Sequence, residues 1–174
     1  MKNSINLWQL LGFAITALGG TVLHFLYDKL GGALWIAPFS SVNESTWEHM
    51  KLLFWPMLVF ALAESLLLRE RGDFWCVKLR GILLGLSLIP TLFYGYNGVI
   101  GKSPDPVNIA IFFVSAAASY LYEARLFAKE KITCKRPWAN VAALCFIGAA
   151  FIIFTFFTPS LAIFKDPVTS TYGL

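Results

Sequence analysis

The chain has 174 residues, of which 57% are hydrophobic and only 14% are charged. Soluble domains carry about 25% charged residues, so this composition excludes an ordinary soluble domain and indicates an integral membrane protein. The formal net charge of +4 would suit nucleic-acid binding. The basic residues, however, cluster beside apolar runs, as charges that orient membrane spans do. We therefore exclude a nucleic-acid partner and expect the lipid bilayer instead.

Five apolar windows are long enough to cross a bilayer, which requires about 20 residues. They lie at approximately 6–28, 47–68, 77–100, 106–127 and 138–160. Backbone groups in lipid must be satisfied within their own segment, so these windows predict helices. The first run is longer than the core of a signal peptide and lacks a clear cleavage site, so we interpret it as a retained span. The predicted fold is a single all-α domain, residues 1–174, with five transmembrane helices.

Lys and Arg are distributed unequally between the two sides of this predicted bundle. The positive-inside rule therefore places the N-terminus in the cytoplasm and the C-terminus outside, in a multi-pass protein of the cell membrane. Ten basic residues lie on the N-terminal side, namely Lys2, Arg69, Arg71, Lys78, Arg80, Arg125, Lys129, Lys131, Lys135 and Arg136, against Lys29, Lys51, Lys102 and Lys165 on the other.

The cysteines Cys76, Cys134 and Cys145 are spaced too widely for a zinc or redox motif. Cys76 and Cys134 fall on the predicted cytoplasmic side, so we expect reduced thiols.

Two acids, Glu64 and Glu123, lie near the inner ends of their spans. Arg69 and Arg125 respectively lie about a turn away, so we expect structural carboxylates, salt-bridged to these arginines or snorkelling, rather than a proton path.

The densest polar run of the chain spans residues 41–51 and leads directly into the second apolar window. Ionisable groups are costly at a membrane boundary and often functional there. Ser45 and Glu48 fit a capping box, in which the Glu48 side chain accepts a hydrogen bond from the backbone at the start of the helix. Alternatively Asn43 caps the helix and Glu48 still needs a partner, which is the interpretation we favour. Glu44 and Glu48 would then share one face, unfavourably unless a cation or a proton lies between them.

Polar residues of other segments are expected to converge on this run. His24 and Asp28 share one face at the outer end of the first span, together with Thr21. Tyr94 and Asn97 follow Pro90 on one face at the outer end of the third span. The polar C-terminal tail, which contains Asp166 and Tyr172, either folds back over this polar mouth or is a disordered end.

The two histidines, His24 and His49, should lie at the same depth in different helices. With a carboxylate from Glu44, Glu48 or Asp28 they could supply three ligands to a divalent metal such as zinc, and we take His24, Glu48 and His49 as the first set. A metal-bound water could attack an ester or amide, which makes Glu44 and Glu48 candidate catalytic residues. The alternatives are a hydrogen-bonded structural network and a metal-free ligand pocket.

Three segments carry a resemblance to a known family: 24–28, 42–52 and 166–173, with the core Asn-Glu-Ser-x-Trp-Glu-His-x-Lys. Together they resemble a family of small bacterial polytopic membrane proteins of unknown function. The resemblance implies a bacterial cytoplasmic membrane protein and no particular activity. A looser similarity is to multi-span metal-dependent hydrolases that include alkaline ceramidases. Those use three His, an Asp and a Ser, whereas this chain has two His.

These observations predict a polar site at the extracytoplasmic ends of the first three helices. We expect it to bind a lipid or amphipathic small molecule; a metal-dependent hydrolase and a small transporter are the alternatives. The expected ligand-binding residues are Asp28, Asn43, Glu44, Tyr94, Asn97, Asp166 and Tyr172. The sequence leaves the ligand, the oligomeric state and any partner subunit open.

Overall fold

The computed structural model describes residues 2–67, 72–129 and 134–174. Within these ranges the chain is helical and contains no strand. Five of the helices in these ranges are long and apolar enough to cross a membrane, which confirms the predicted set of five long apolar helices. They are α1 (Lys2–Lys29), α2 (Thr46–Leu67), α3 (Phe74–Val99), α4 (Asp105–Ala128) and α5 (Pro137–Phe156), followed by the short 3₁₀ helix η1 (Ala162–Phe164).

Proline and glycine mark the ends of these helices. Gly31 and Gly32 adopt positive φ directly after α1, a conformation that favours glycine. Pro residues stand in the first turns of α4 and α5, where the missing N–H has no helical partner anyway. Helix α5 ends at Phe156, before the predicted limit at 160, because Pro159 disfavours a helical conformation at the residue before it.

The helices approach one another where a side chain is small. Pro56 lies inside α2 and cannot donate a hydrogen bond to the carbonyl of Leu52. Gly20 of α1 faces that carbonyl, and a Cβ at this glycine would lie 2.9 Å from the Leu52 oxygen. In α3, Gly85 packs against Ser119 of α4 and Leu53 of α2. Small residues at such contacts allow close packing of helices in lipid.

A buried ion cluster joins three helices at the end of the bundle opposite to residues 41–51. The Lys78 ammonium of α3 lies 2.5 Å from a carboxylate oxygen of Glu64 and 2.5 Å from one of Glu123. The amide of Gln9 donates to Glu64 at 3.0 Å. The expected pairing of Glu123 with Arg125 was therefore wrong, because Lys78 reaches both acids across the bundle. Arg69, the partner expected for Glu64, lies outside the described residues.

Cys76 and Cys134 form a disulfide that ties the start of α3 to the segment before α5. The expectation of reduced thiols at these positions was therefore wrong. That expectation was based on the side of the membrane alone, and no local pattern around Cys76 or Cys134 indicates that the fold brings the two sulfurs together. Cys145 is free and exposed.

The C-terminal segment, residues 157–174, folds back over the ends of α2 and α3. Phe164 is buried, with its ring centroid 4.7 Å from that of Trp47. The Tyr94 hydroxyl donates to the carbonyl of Ala162 at 2.9 Å. The amide of Asn43 donates to the carbonyl of Gly173 at 2.9 Å. Of the two alternatives for the tail, the structure has the one in which it covers the polar mouth.

Candidate functional site

The start of α2 fixes the geometry of the polar run. The Glu48 N–H donates to the hydroxyl of Ser45 at 3.4 Å, and the helix begins at Thr46, so Ser45 is the N-cap. The favoured cap, Asn43, was wrong. Its side-chain oxygen instead accepts from the Ser45 N–H at 2.9 Å, which is an Asx turn that shapes the loop before the helix.

The carboxylate of Glu48 forms a structural ion pair with Lys51. The carboxylate lies 2.6 Å from the ammonium of Lys51, one turn further along α2, and accepts from the Val42 N–H at 2.9 Å. Lys51 also donates to the Ala37 carbonyl at 2.8 Å and to the Thr155 hydroxyl at 3.0 Å. Both charged side chains are almost fully buried. These contacts lock the α1–α2 connection onto α2 and α5, so Glu48 acts as a structural residue.

Glu44 is the carboxylate that lies beside the two imidazoles. One of its oxygens is 3.7 Å from Nε2 of His24, and the other is 3.6 Å from Nε2 of His49. The two rings are 5.6 Å apart between centroids. One ligand atom from each of the three residues lies within 4.8 Å of the others. The structure thus brings together both predicted histidines, with Glu44 in the position for which Glu48 was the first choice.

The neighbours of the rings orient the imidazole nitrogens. Nδ1 of His49 lies 3.0 Å from the Ser45 carbonyl oxygen, which accepts only, so Nδ1 carries the proton. In the neutral imidazole, Nε2 is then an unprotonated acceptor, and it lies 3.6 Å from a Glu44 oxygen. Nδ1 of His24 is buried and has no hydrogen-bond partner among the described residues.

The three residues line one cavity of about 570 Å³. This volume falls within the range of small-molecule sites, about 300–1,000 Å³. Apolar side chains of α2, α3 and α4 form much of the wall, and polar groups cluster at the end where α1 and α2 meet the connecting loops. The wall includes Leu52, Ile89, Phe93, Ile111, Phe112 and Phe113, and the polar lining includes Thr21, His24, Glu44, Thr46, His49, Asn97, Lys102, Ser103, Asp105 and Asn108.

Of the other predicted site residues, Asn97 lines this cavity, whereas Asp28, Asn43, Tyr94, Asp166 and Tyr172 do not. Asn97 lines it and accepts from the Ser103 N–H at 2.9 Å, which fixes the loop between α3 and α4. Tyr94 lies beside it and holds the tail. Tyr172 is exposed and forms a bridge with Lys165 in the tail. Asp28 is exposed at the end of α1 and does not line the cavity.

Asp166 anchors the tail over the cavity mouth, where Pro167 and Val168 line the opening. Its carboxylate accepts from the Val168 N–H at 2.6 Å and from the Thr169 N–H at 3.2 Å. Its second oxygen accepts a long contact, 3.5 Å, from the Glu44 N–H. Desolvation by itself would raise the pKa of this carboxyl, but the backbone N–H donors favour the charged form and the pKa lies below its ordinary value.

Sequence reasoning missed two components of the site. Lys102, in the loop between α3 and α4, and Asp105, the first residue of α4, line the cavity. Their position between the third and fourth predicted spans already placed them on the same side as residues 41–51, which was the available signal. The aromatic wall of Phe112 and Phe113 had no such signal, because aromatic residues occur on every predicted span.

Comparison with known proteins identifies a family but no function. A family model described as a family of unknown function, DUF6512, matches residues 1–174. No curated protein and no solved structure matches the chain.

Proposed function

We propose that this chain, which belongs to the DUF6512 family of unknown function, binds a single-chain lipid or a similar amphipathic small molecule in the cavity. The observation that carries this proposal is the division of the cavity into an apolar wall and one polar end. An acyl chain would lie against Ile89 and Phe112, and a polar head group would meet His24, His49 and Asn97. Ligand sites commonly combine apolar walls with a few placed polar groups in this way.

Affinity for a radiolabelled monoacylglycerol, measured on protein purified in detergent, tests the proposal. Thr21 lines the cavity and is itself exposed, so Thr21→Phe would fill the space without disturbing the helix contacts. The matched control is Val22→Phe, because Val22 is 60% exposed and does not line the cavity. We expect Thr21→Phe to weaken binding at least about tenfold, equivalent to about 1.4 kcal/mol, and Val22→Phe to leave it unchanged. Equal affinities in the two variants would overturn the proposal.

Hydrolysis of the bound lipid is a second candidate. It is favoured by the position of the Glu44 carboxylate between two Nε2 atoms, at 3.7 and 3.6 Å. The release of fatty acid from monoacylglycerol by the purified protein, compared with Glu44→Gln, is the test. Turnover that Glu44→Gln abolishes supports hydrolysis. Lipid binding without turnover, in the presence of added zinc, would leave the protein a binding protein.

We also propose that the cavity faces the extracytoplasmic side of a bacterial cell membrane. The unequal distribution of Lys and Arg supports this orientation. The Cys76–Cys134 disulfide lies at the opposite end of the bundle, and cytoplasmic disulfides are usually transient or redox-sensing. In this orientation the disulfide would lie on the cytoplasmic side, which is an uncommon location for a structural disulfide. The test is labelling of the variant Leu174→Cys, in a Cys145→Ala background, by a membrane-impermeant maleimide on intact cells. Labelling at position 174 supports the proposed orientation, and protection of that position from the reagent would contradict it.

A further inference from the structure

The contacts among His24, Glu44 and His49 do not include a hydrogen bond to either Nε2 atom. The Nε2–oxygen separations of 3.7 and 3.6 Å exceed the length of a hydrogen bond, so Glu44 satisfies neither imidazole directly. The three side chains are between 22% and 48% exposed, which leaves the cluster partly buried and open to the cavity. A cation placed between the three groups would contact all of them.

We infer that His24, Glu44 and His49 bind a divalent transition-metal ion of the zinc class. The inference adds a ligand to the cavity of the proposed function and rests on that site, but the metal would bind whether or not a lipid does. Two neutral imidazoles with one carboxylate are a ligand set used by zinc. Nitrogen ligands favour zinc and its transition-metal neighbours over calcium and magnesium, which prefer oxygen.

The separations are close to those that a bound ion requires. Ligand atoms at about 2.0–2.1 Å from a tetrahedral ion lie about 3.3 Å from one another. The observed atoms lie within 4.8 Å of one another, so a contraction of up to about 1.5 Å would bring them into place. Glu44 lies in the loop before α2 and its side chain is 48% exposed, so its carboxylate has room to move toward an ion between the two imidazoles.

The surroundings of His49 supply a second feature of metal sites. Histidine ligands commonly donate the proton of the other ring nitrogen to a carbonyl or carboxylate, which fixes the ring orientation. The Ser45 carbonyl accepts from Nδ1 of His49 at 3.0 Å, so Nε2 presents its lone pair toward Glu44. Ser45 is also the N-cap of α2, so the fold that starts the helix also orients this ligand.

An ion with these three protein ligands would keep a coordination position free. That position would face the cavity that His24, Glu44 and His49 line. Sites with three protein ligands and an open position bind water or substrate there. The metal would also offset the negative charge of Glu44, and a lipid with a carboxylate head group would then bind better than its glycerol ester.

Metal binding to the purified full-length protein, stripped with a chelator and assayed without lipid, tests the inference. Cobalt(II) is the probe, because its absorption spectrum reports a tetrahedral site, and zinc is then titrated in competition. We expect stoichiometric binding in the wild-type protein. Each of three variants should weaken it by more than about 100-fold, because loss of an outer-shell partner alone already weakens metal binding by up to about 100-fold. The variants are His24→Ala, Glu44→Gln and His49→Ala. The matched control is Asp28→Asn, which removes an exposed acid on the same helix as His24 and should change nothing.

Each outcome of this experiment decides the inference. Glu44→Gln keeps the shape of an exposed side chain, so loss of cobalt binding in this variant with an unchanged thermal midpoint supports the site. Cobalt binding that persists in all three variants, or its absence from the wild-type protein, would overturn the inference. Monoacylglycerol binding is measured separately on the stripped and on the metal-loaded protein. Absence of lipid binding in both forms would contradict the proposed function and leave the metal site intact.

Discussion

The ammonium of Lys51 and the carboxylate of Glu48 lie 2.6 Å apart, almost fully buried, at the start of α2. The pair explains why Glu44, and not Glu48, is the acid that faces the cavity. Glu48 takes its donors from Lys51 and Val42, whereas Glu44 stands one turn earlier, outside the helix, and points to the histidines. The polar run of residues 41–51 thus divides into a structural part and a cavity-lining part.

Removal of one member of this pair should destabilise the protein. Lys51→Met leaves Glu48 buried without its cation, and breaking a buried pair in this way costs about 3–5 kcal/mol. We expect a large fall in the thermal midpoint of the detergent-solubilised protein. The double variant Lys51→Met with Glu48→Gln should recover part of it. Lys165→Met, at an exposed lysine, is the control. A midpoint for Lys51→Met equal to that of the control would contradict the structural role.

The cluster at the other end of the bundle makes a parallel prediction. Lys78 is the cation shared by Glu64 and Glu123, and all three are buried. Lys78→Met would leave two buried acids close together without their shared cation, so we expect a loss of folded protein at least as large as that from Lys51→Met. The yield of monodisperse protein in size-exclusion chromatography is the measurement, and Lys129→Met, at the exposed residue directly after α4, is the comparison. Equal yields would be inconsistent with this cluster.

Two glycines of α3 should respond in opposite ways to alanine. A Cβ at Gly85 would meet Leu53 at 2.5 Å, whereas nothing lies within 4 Å of one at Gly95. Overpacking costs about 1–3 kcal/mol, and replacing an unhindered helical glycine by alanine gains about 0.5–1 kcal/mol. Thermal midpoints should therefore fall for Gly85→Ala and rise or hold for Gly95→Ala. The reverse order would contradict the close contact between α2, α3 and α4.

The tail should detach in acid. The pKa of Asp166 is lowered in the folded protein by backbone donors, so its contribution to stability is complete above the usual aspartate value of about 4. That contribution is lost as the pH falls through the lower folded pKa. A spin label on Leu174→Cys, in a Cys145→Ala background, should become mobile over this range. With Asp166→Asn added, it should already be more mobile at neutral pH. Identical spectra for the two proteins at neutral pH would show that Asp166 does not hold the tail.

Thiol counting tests the disulfide. Denatured, unreduced protein should react with a maleimide at Cys145 alone, and reduction should expose Cys76 and Cys134 as well. The bridge closes a loop of 58 residues, for which chain entropy predicts about 4 kcal/mol of stabilisation. The thermal midpoint should therefore fall on reduction. Reaction of all three cysteines without reductant would contradict the bond.

Hydrophobic patterning was sufficient to predict the five helices, because a helix that crosses lipid requires a long apolar run with polar breaks. The convergence of His24 and His49 was also predictable, since both stand at the same end of adjacent spans. The partner of Glu48 could have been found from the spacing of Lys51 on one helix face. The contacts of Lys78 with Glu123, and of Cys76 with Cys134, depend on which helices are neighbours. A single sequence does not encode that in any local pattern.

The position of a bound lipid distinguishes binding in the cavity from contact with the outer surface of the bundle. A single-chain lipid with a photoreactive group on its acyl chain is cross-linked to the protein in bilayers, and the labelled residues are mapped by mass spectrometry. We expect labelling to concentrate at Ile89 and Phe112 in the cavity wall and to be suppressed by unlabelled monoacylglycerol. Labelling spread over outward-facing residues such as Leu18 and Leu121, without competition, would contradict binding in the cavity.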